Sequence, residues 1–149
     1  MMASTTSTSG RAPGAPTGPR DGAGPSWPRI AAATSYAGVV GFQLALAAGA
    51  PWGIAAWGGA NEGVLPPGFR IGSAISAAVW AIVAASLGTS WLPARWRRRV
   101  LTVLAVLAPL SLVMNLATPS SIERAVWAPI TAVQTVLVLL ALRAERRSR

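Results

Sequence analysis

The sequence contains four long apolar runs. The residues in these runs that are best suited to bind another molecule are three side-chain amides, Gln43, Asn115 and Gln134. Counted from the predicted helix ends at about 1.5 Å per residue, all three fall in the outer half of the predicted membrane spans. An amide offers both donors and acceptors, so the group predicts a polar region that could bind a small polar ligand or a lipid headgroup. The interpretation we favour is that the amides bond between helices and hold the bundle together, at about 0.6 kcal/mol per contact.

Two prolines lie at a depth similar to that of the amides. Pro109 removes the hydrogen bond that the carbonyl of Ala105 would otherwise receive, and Pro129 frees a carbonyl in the next helix. We therefore expect a kink in the third helix and additional backbone acceptors close to the amides.

Four charged residues are expected on the same outer side, where they could form the rim of a cavity: Glu62, Arg70, Glu123 and Arg124. Glu123 has a second explanation, because Ser120 and Glu123 have the spacing of a capping box. In that motif the serine caps the helix and the glutamate side chain reaches back to the backbone N–H of the serine. Arg70 and Arg124 could instead extend to lipid headgroups.

Several kinds of chemistry are excluded by residue types that the chain lacks. It contains neither cysteine nor histidine, which excludes disulfides, catalytic cysteines, histidine-ligated haem and ordinary zinc sites. The interior of the spans has no carboxylate or basic residue for acid–base catalysis or a proton relay. Since no phosphate-binding loop, dinucleotide motif or nucleophile elbow occurs either, we expect a protein that is not an enzyme and that uses no metal and no cofactor.

The composition is typical of a membrane protein. Of the 149 residues, 52% are hydrophobic and only 11% are charged, against about 25% charged residues in soluble domains. The uncharged runs 71–87 and 100–117 flank a basic segment, residues 91–99, with four arginines. Each arginine at the membrane centre would cost roughly 2.5–3.5 kcal/mol, so this segment must lie outside the bilayer and join two spanning helices.

The predicted fold is all-α, a four-transmembrane-helix bundle in up-down-up-down order. Its spans are residues 30–49, 71–89, 100–117 and 121–142, inside a transmembrane domain of residues 29–143. Residues 1–28, rich in Ser, Thr, Gly, Ala and Pro, are predicted to be a disordered cytoplasmic tail, and residues 144–149 a basic cytoplasmic tail. A cleaved signal peptide is a less favoured interpretation of the first span, because its apolar run exceeds the usual length of about 7 to 15 residues.

The distribution of arginines predicts the orientation. The net charge is +9, and eleven of the thirteen basic residues, all arginine, lie in residues 11–29, 91–99 or 143–149. By the positive-inside rule these segments face the cytoplasm. Both termini therefore lie on the cytoplasmic side of a cell membrane that the chain crosses four times. Some of these arginines are also expected to contact anionic lipid headgroups: Arg95, Arg97, Arg98, Arg99, Arg146 and Arg147. Since orientation explains the basic charge, we expect no nucleic-acid partner.

Small residues recur at every fourth position of the first two spans. Such spacing allows close approach of a neighbouring helix and favours contact with a second copy of the chain or with another membrane protein. The two series are Ala33, Ala37, Gly41, Ala45, Gly49 and Ser73, Ala77, Ala81, Ala85, Thr89.

Four short motifs resemble those of small uncharacterised four-span membrane proteins of actinobacteria. They are GAPWG at 49–53, AWGG at 56–59, VLPP at 64–67 and ERAVWAP at 123–129. The resemblance covers residues 30–142 and implies an integral protein of the cell envelope, without implying an activity. Our first expectation is therefore a non-enzymatic structural or accessory membrane protein, and the alternative is a binder or carrier of a small polar or lipid ligand.

Overall fold

The computed structural model describes residues 26–147 and shows a bundle of four helices, with no strand in that part of the chain. The helices α1 to α4 are Trp27–Ala48, Pro67–Gly88, Ala94–Ala117 and Ser121–Arg147. All four are long and apolar enough to cross a membrane, since about 20 helical residues cover its hydrocarbon core. The predicted all-α fold with four membrane-spanning helices is confirmed. Most of the predicted disordered tail, residues 1–25, lies outside the described residues.

Glycine and proline set two of the helix ends. At the end of α1, Gly49 adopts φ +101°, and the N–H of Ala50 donates to the carbonyl of Ala45 at 2.9 Å. This left-handed cap favours glycine because it has no Cβ to clash. Pro67 is the first residue of α2, and its missing N–H costs little in a first turn. α3 begins at Ala94, ahead of the predicted Val100, because the basic residues form its first turns.

A buried ion cluster joins three helix ends. Glu145, near the end of α4, accepts from Nε of Arg97 in α3 at 2.6 Å and from Nη1 of Arg29 in α1 at 3.2 Å. The side chains of both arginines are mostly buried, at 13% and 7% exposure. This end of the bundle is the arginine end, and it holds the starts of α1 and α3 beside the end of α4.

The opposite end, the loop end, carries the α1–α2 connection with its two 3₁₀ turns, Gly53–Ala55 and Trp57–Gly59. This loop docks on the start of α4: Nε1 of Trp127 donates to the carbonyl of Ala55 at 2.7 Å, and the Ser120 hydroxyl donates to the carbonyl of Ile54 at 3.1 Å. The positions of the helix ends establish the up-down-up-down order.

The packing between the helices is uneven. α1 packs mainly on α2 and α3 mainly on α4, while α1 and α4 join the two pairs and α2 and α3 touch little. The main core lies in the half near the arginine end and includes residues from every helix, and a smaller cluster at the loop end contains Leu46, Ala56 and Leu65. The main core consists of Ala32, Ala33, Tyr36, Leu87, Leu101, Leu104, Val138, Ala141 and Leu142.

The two series of small residues lie only partly in helix contacts. Ala33, Ser73 and Ala77 are buried, whereas Gly41 and Ala81 are exposed. The reason is geometric: four residues turn about 400° around a helix, so each step moves the series sideways by about 40°. A series that begins between two helices therefore leaves that contact within a few turns.

Candidate ligand-binding cavity

A cavity of about 280 Å³ lies between the main core and the loop end, and all four helices and the α1–α2 loop line it. The lining positions follow helical spacing. On α4 they are Glu123, Trp127, Thr131 and Gln134, three or four residues apart and therefore on one face. The lining includes residues of both α2 and α3, the two neighbouring helices that touch little.

The three predicted amides all line this cavity. Asn115 Nδ2 donates to the carbonyl of Ser111 in its own helix at 2.8 Å. Gln134 is only 5% exposed, and its Nε2 and the Oε1 of Gln43 are buried without a hydrogen-bond partner. Within residues 26–147, no hydrogen bond joins any two of the three amides. Each unpaired buried atom costs about 1–3 kcal/mol, so the cavity wall keeps unmet hydrogen-bonding capacity.

Pro109 and Pro129 lie inside α3 and α4, two of the helices that form the cavity wall. Both helices continue through Pro109 and Pro129. The hydroxyl of Thr131, two residues after Pro129, donates to the carbonyl of Trp127 at 2.7 Å. This hydroxyl therefore satisfies its own helix and is not a free donor toward the cavity.

Aromatic rings make up much of the cavity wall. Two pairs are in contact: Tyr36 stacks on Trp80 with centroids 5.1 Å apart, and Phe42 meets Trp127 edge-on at 4.8 Å. Trp57 supplies a fifth ring from the loop. Trp80, which falls near the middle of its span, is therefore placed by ring stacking and lines the cavity.

Trp57 lines the cavity and fastens the α1–α2 loop to α2. Its backbone has φ +55°, a left-handed conformation that few non-glycine residues adopt. Its indole N–H donates to the Ser73 hydroxyl at 3.2 Å, and its ring lies 5.4 Å from that of Phe69. Gly72 leaves room for the indole, because a Cβ there would lie 3.0 Å from the ring. Contacts of the side chain thus maintain a strained backbone.

Glu123 is the one predicted rim residue that lines the cavity. Half of the expected capping box is present, since the N–H of Glu123 donates to the Ser120 hydroxyl at 3.1 Å. The carboxylate does not reach back to Ser120: it accepts from the N–H of Gly58 at 3.3 Å and from the Thr118 hydroxyl at 2.9 Å. It therefore ties the α1–α2 loop to the α3–α4 turn.

The other predicted rim residues lie outside the lining. Glu62 and Arg124 are exposed, and Nε of Arg70 donates to the carbonyl of Ala47 at 3.0 Å. In the part of the chain that the structure describes, no group of His, Cys, Asp or Glu could hold a metal ion.

The arginines predicted to contact lipid differ in their surroundings. Arg97 belongs to the ion cluster with Glu145. Arg98 is half-buried, and with Arg95 and Arg99 it lines a shallow groove beside the start of α3, where Arg99 lies over the ring of Trp96 at 4.5 Å. The exposed members of the predicted set are Arg95, Arg99, Arg146 and Arg147.

Sequence reasoning missed four of the five rings in the lining, those of Tyr36, Phe42, Trp80 and Trp127. The signal was present on α4, where Glu123, Trp127 and Gln134 recur at intervals of four and seven residues. Tyr36 and Phe42 gave no such signal, because a ring in an apolar run is equally suited to lipid or to a core.

Comparisons with family models, with curated proteins and with solved structures find no match for this chain.

Proposed function

We propose that the protein is a membrane-embedded binding protein whose cavity holds a small amphiphilic ligand. The observation that carries this proposal is that Gln43 and Gln134 both line one cavity and that each has a buried side-chain atom, Oε1 and Nε2 respectively, without a hydrogen-bond partner. Amides that served only to join helices would bond to one another or to a neighbouring helix. Here Asn115 bonds to its own helix, and Gln43 and Gln134 each keep an unpaired buried atom. The geometry therefore favours ligand binding over amides that only join helices.

The chemistry of the wall suits an amphiphile. Ligand sites are typically apolar and aromatic, with a few polar groups that fix orientation, and this lining combines five rings with three amides. A volume of about 280 Å³ suits a molecule of roughly drug-fragment size. Leu107 of α3 lines the cavity and is 43% exposed. Together with the weak α2–α3 contact, this favours access from the lipid side.

We place the arginine end in the cytoplasm and the cavity in the outer half of the cytoplasmic membrane. The arginine distribution supports this orientation, and the motif resemblance supports the cell envelope of an actinobacterium. At the inner face the groove of Arg95, Arg98 and Arg99 is expected to hold anionic lipid headgroups.

Benzamide tests the binding function, because it joins an aromatic ring to an amide that can both donate and accept. We expect it to bind the full chain in lipid nanodiscs and to change its tryptophan fluorescence. Ala108→Phe should abolish this binding, since Ala108 is buried in the cavity wall. Val136→Phe is the control, because Val136 is 56% exposed and lies outside the lining. Loss of binding in both variants, or in neither, would contradict the proposal.

Self-association is a second candidate function. It is favoured by the open surface of α1 at Gly38 and Gly41, where an added Cβ would meet nothing within 4 Å. Such a surface could receive a helix of a second copy. If the surface is an interface, Gly41→Leu and Ala81→Leu should reduce crosslinked dimer in membranes while leaving the monomer folded. Unchanged crosslinking in both variants would contradict this function.

A further inference from the structure

We infer that the ligand of this cavity is an organic cation, with its positive group among the aromatic rings beside Glu123 and its apolar part in the remaining volume. This inference rests on the proposed binding function and names the ligand class. It depends on three features of the wall: its charge, the hydrogen bonds that its indoles already make, and its free amide groups.

The charge of the lining is negative. Glu123 is the charged residue among those that line the cavity. Its two hydrogen-bond donors, the N–H of Gly58 and the hydroxyl of Thr118, are both neutral. Within residues 26–147 no arginine forms an ion pair with it. A carboxylate near a low-dielectric wall, held by neutral donors alone, attracts a cation and repels an anion.

The indoles can offer a ligand only their ring surfaces. An indole has a single donor, and the donors of Trp57 and Trp127 are committed to the Ser73 hydroxyl and the carbonyl of Ala55. The face of an aromatic ring is electrostatically negative and binds a cation within about 6 Å of its centroid. Several rings beside one carboxylate are therefore suited to an ammonium group.

The free amide atoms refine the chemistry. Gln43 Oε1 is an unpaired acceptor and can receive an N–H of an alkylammonium or a polarised C–H of a quaternary one. Gln134 Nε2 is an unpaired donor and would bond to an oxygen of the ligand. With no arginine in the lining, the site has no cationic partner for a phosphate or carboxylate. The class that fits is an amphiphilic ammonium compound bearing an oxygen.

Three aromatic probes of different charge test this inference: benzyltrimethylammonium, neutral benzamide and anionic benzylsulfonate. Each is titrated calorimetrically against the full chain in nanodiscs of zwitterionic lipid, so that the bilayer surface does not concentrate either ion. We expect the cation to bind at least about tenfold more tightly than benzamide, and the anion to show no binding.

Two pairs of variants locate the preference. Glu123→Gln keeps one of the two acceptor oxygens and removes the charge, so it should weaken cation binding about tenfold and weaken benzamide binding clearly less. Glu62→Gln, at an exposed carboxylate outside the lining, should change neither. Trp127→Leu should weaken cation binding more than Trp91→Leu, since Trp127 lines the cavity one turn of α4 away from Glu123. Trp91 is 62% exposed and lies outside the lining.

The outcomes separate this inference from the proposed function. If benzamide binds and the cation binds no more tightly, or if Glu123→Gln weakens both probes equally, the inference is wrong and the cavity remains a neutral site. If no probe binds the unmodified protein, the binding function fails and the inference fails with it. Thermal unfolding of Glu123→Gln reveals any loss of folding, and in that case the comparison of Trp127→Leu with Trp91→Leu decides.

Discussion

The indole N–H of Trp57 donates a hydrogen bond to the hydroxyl of Ser73, 3.2 Å away, and so fastens the α1–α2 loop to the side of α2. Ser73 is fully buried, whereas Trp57 is 43% exposed. The bond connects a strained loop residue with the interior of the bundle, so the loop forms part of the cavity wall.

Ser73→Ala is expected to destabilise the protein by about 1 kcal/mol, because the Trp57 N–H loses its acceptor but can still reach water or a lipid headgroup. Chemical unfolding in detergent measures the change. Ser90→Ala is the control, since Ser90 is exposed in the α2–α3 connection. Equal effects of the two substitutions would mean that the hydrogen bond between Trp57 and Ser73 does not stabilise the protein.

Gly58 and Gly59 form a matched pair for the loop. Both have positive φ, +81° and +71°, so alanine strains the backbone at either position. At Gly58 an added Cβ meets nothing within 4 Å, whereas at Gly59 it would overlap the side chain of Ser120. We expect Gly58→Ala to cost about 1 kcal/mol and Gly59→Ala clearly more, with release of the loop seen as faster proteolysis. Similar unfolding midpoints for both variants would contradict this account of the loop.

Glu145→Gln is expected to destabilise the bundle by about 3–5 kcal/mol, because it leaves Arg29 and Arg97 buried without a counter-charge. Arg29 is only 5% exposed and cannot easily turn to water. The thermal unfolding midpoint measures this loss. Glu62→Gln removes an exposed carboxylate and should leave the midpoint unchanged, so a comparable fall in both variants would be evidence against the ion cluster.

Gln134→Leu is expected to raise the stability of the ligand-free protein by about 1–3 kcal/mol, since it removes a buried amide with an unpaired Nε2. The same change should abolish benzamide binding. A gain in stability together with a loss of binding is the signature of a residue retained for a ligand. If the variant is instead less stable, the amide has a structural role.

The absence of native cysteine makes the orientation testable with single introduced thiols. Ala60 and Ala94 are exposed residues at the loop end and the arginine end. A membrane-impermeant maleimide should label Ala60→Cys in intact cells and Ala94→Cys only after permeabilisation. Labelling of both positions in intact cells would exclude the proposed topology.

The number and order of the helices could be predicted because these properties are local. An uncharged run of about 20 residues specifies a spanning helix wherever it occurs, and arginines between two runs specify a turn. The common depth of Gln43, Asn115 and Gln134 followed from counting along each helix. That these three amides line one cavity could not be predicted in this way, because it depends on how each helix is rotated about its own axis.

The remaining features depend on contacts between residues distant in sequence. Glu145 read as part of a basic tail, yet it binds Arg29, which is 116 residues away. Glu123 read as a helix cap, yet its carboxylate accepts from Gly58, 65 residues away. Neither pairing leaves a periodic signal, because each is fixed by how helix ends and loops meet after the bundle has assembled.

The sparse contact between α2 and α3 bears on the phase from which the proposed ligand would be recruited. These two helices are each anchored to a hairpin partner, so the seam between them can widen while both hairpins remain intact. A compound dissolved among the acyl chains would enter sideways through this seam, without first returning to the aqueous phase. Its occupancy would then follow its concentration in the bilayer, and a high partition coefficient would let even weak intrinsic binding fill the cavity.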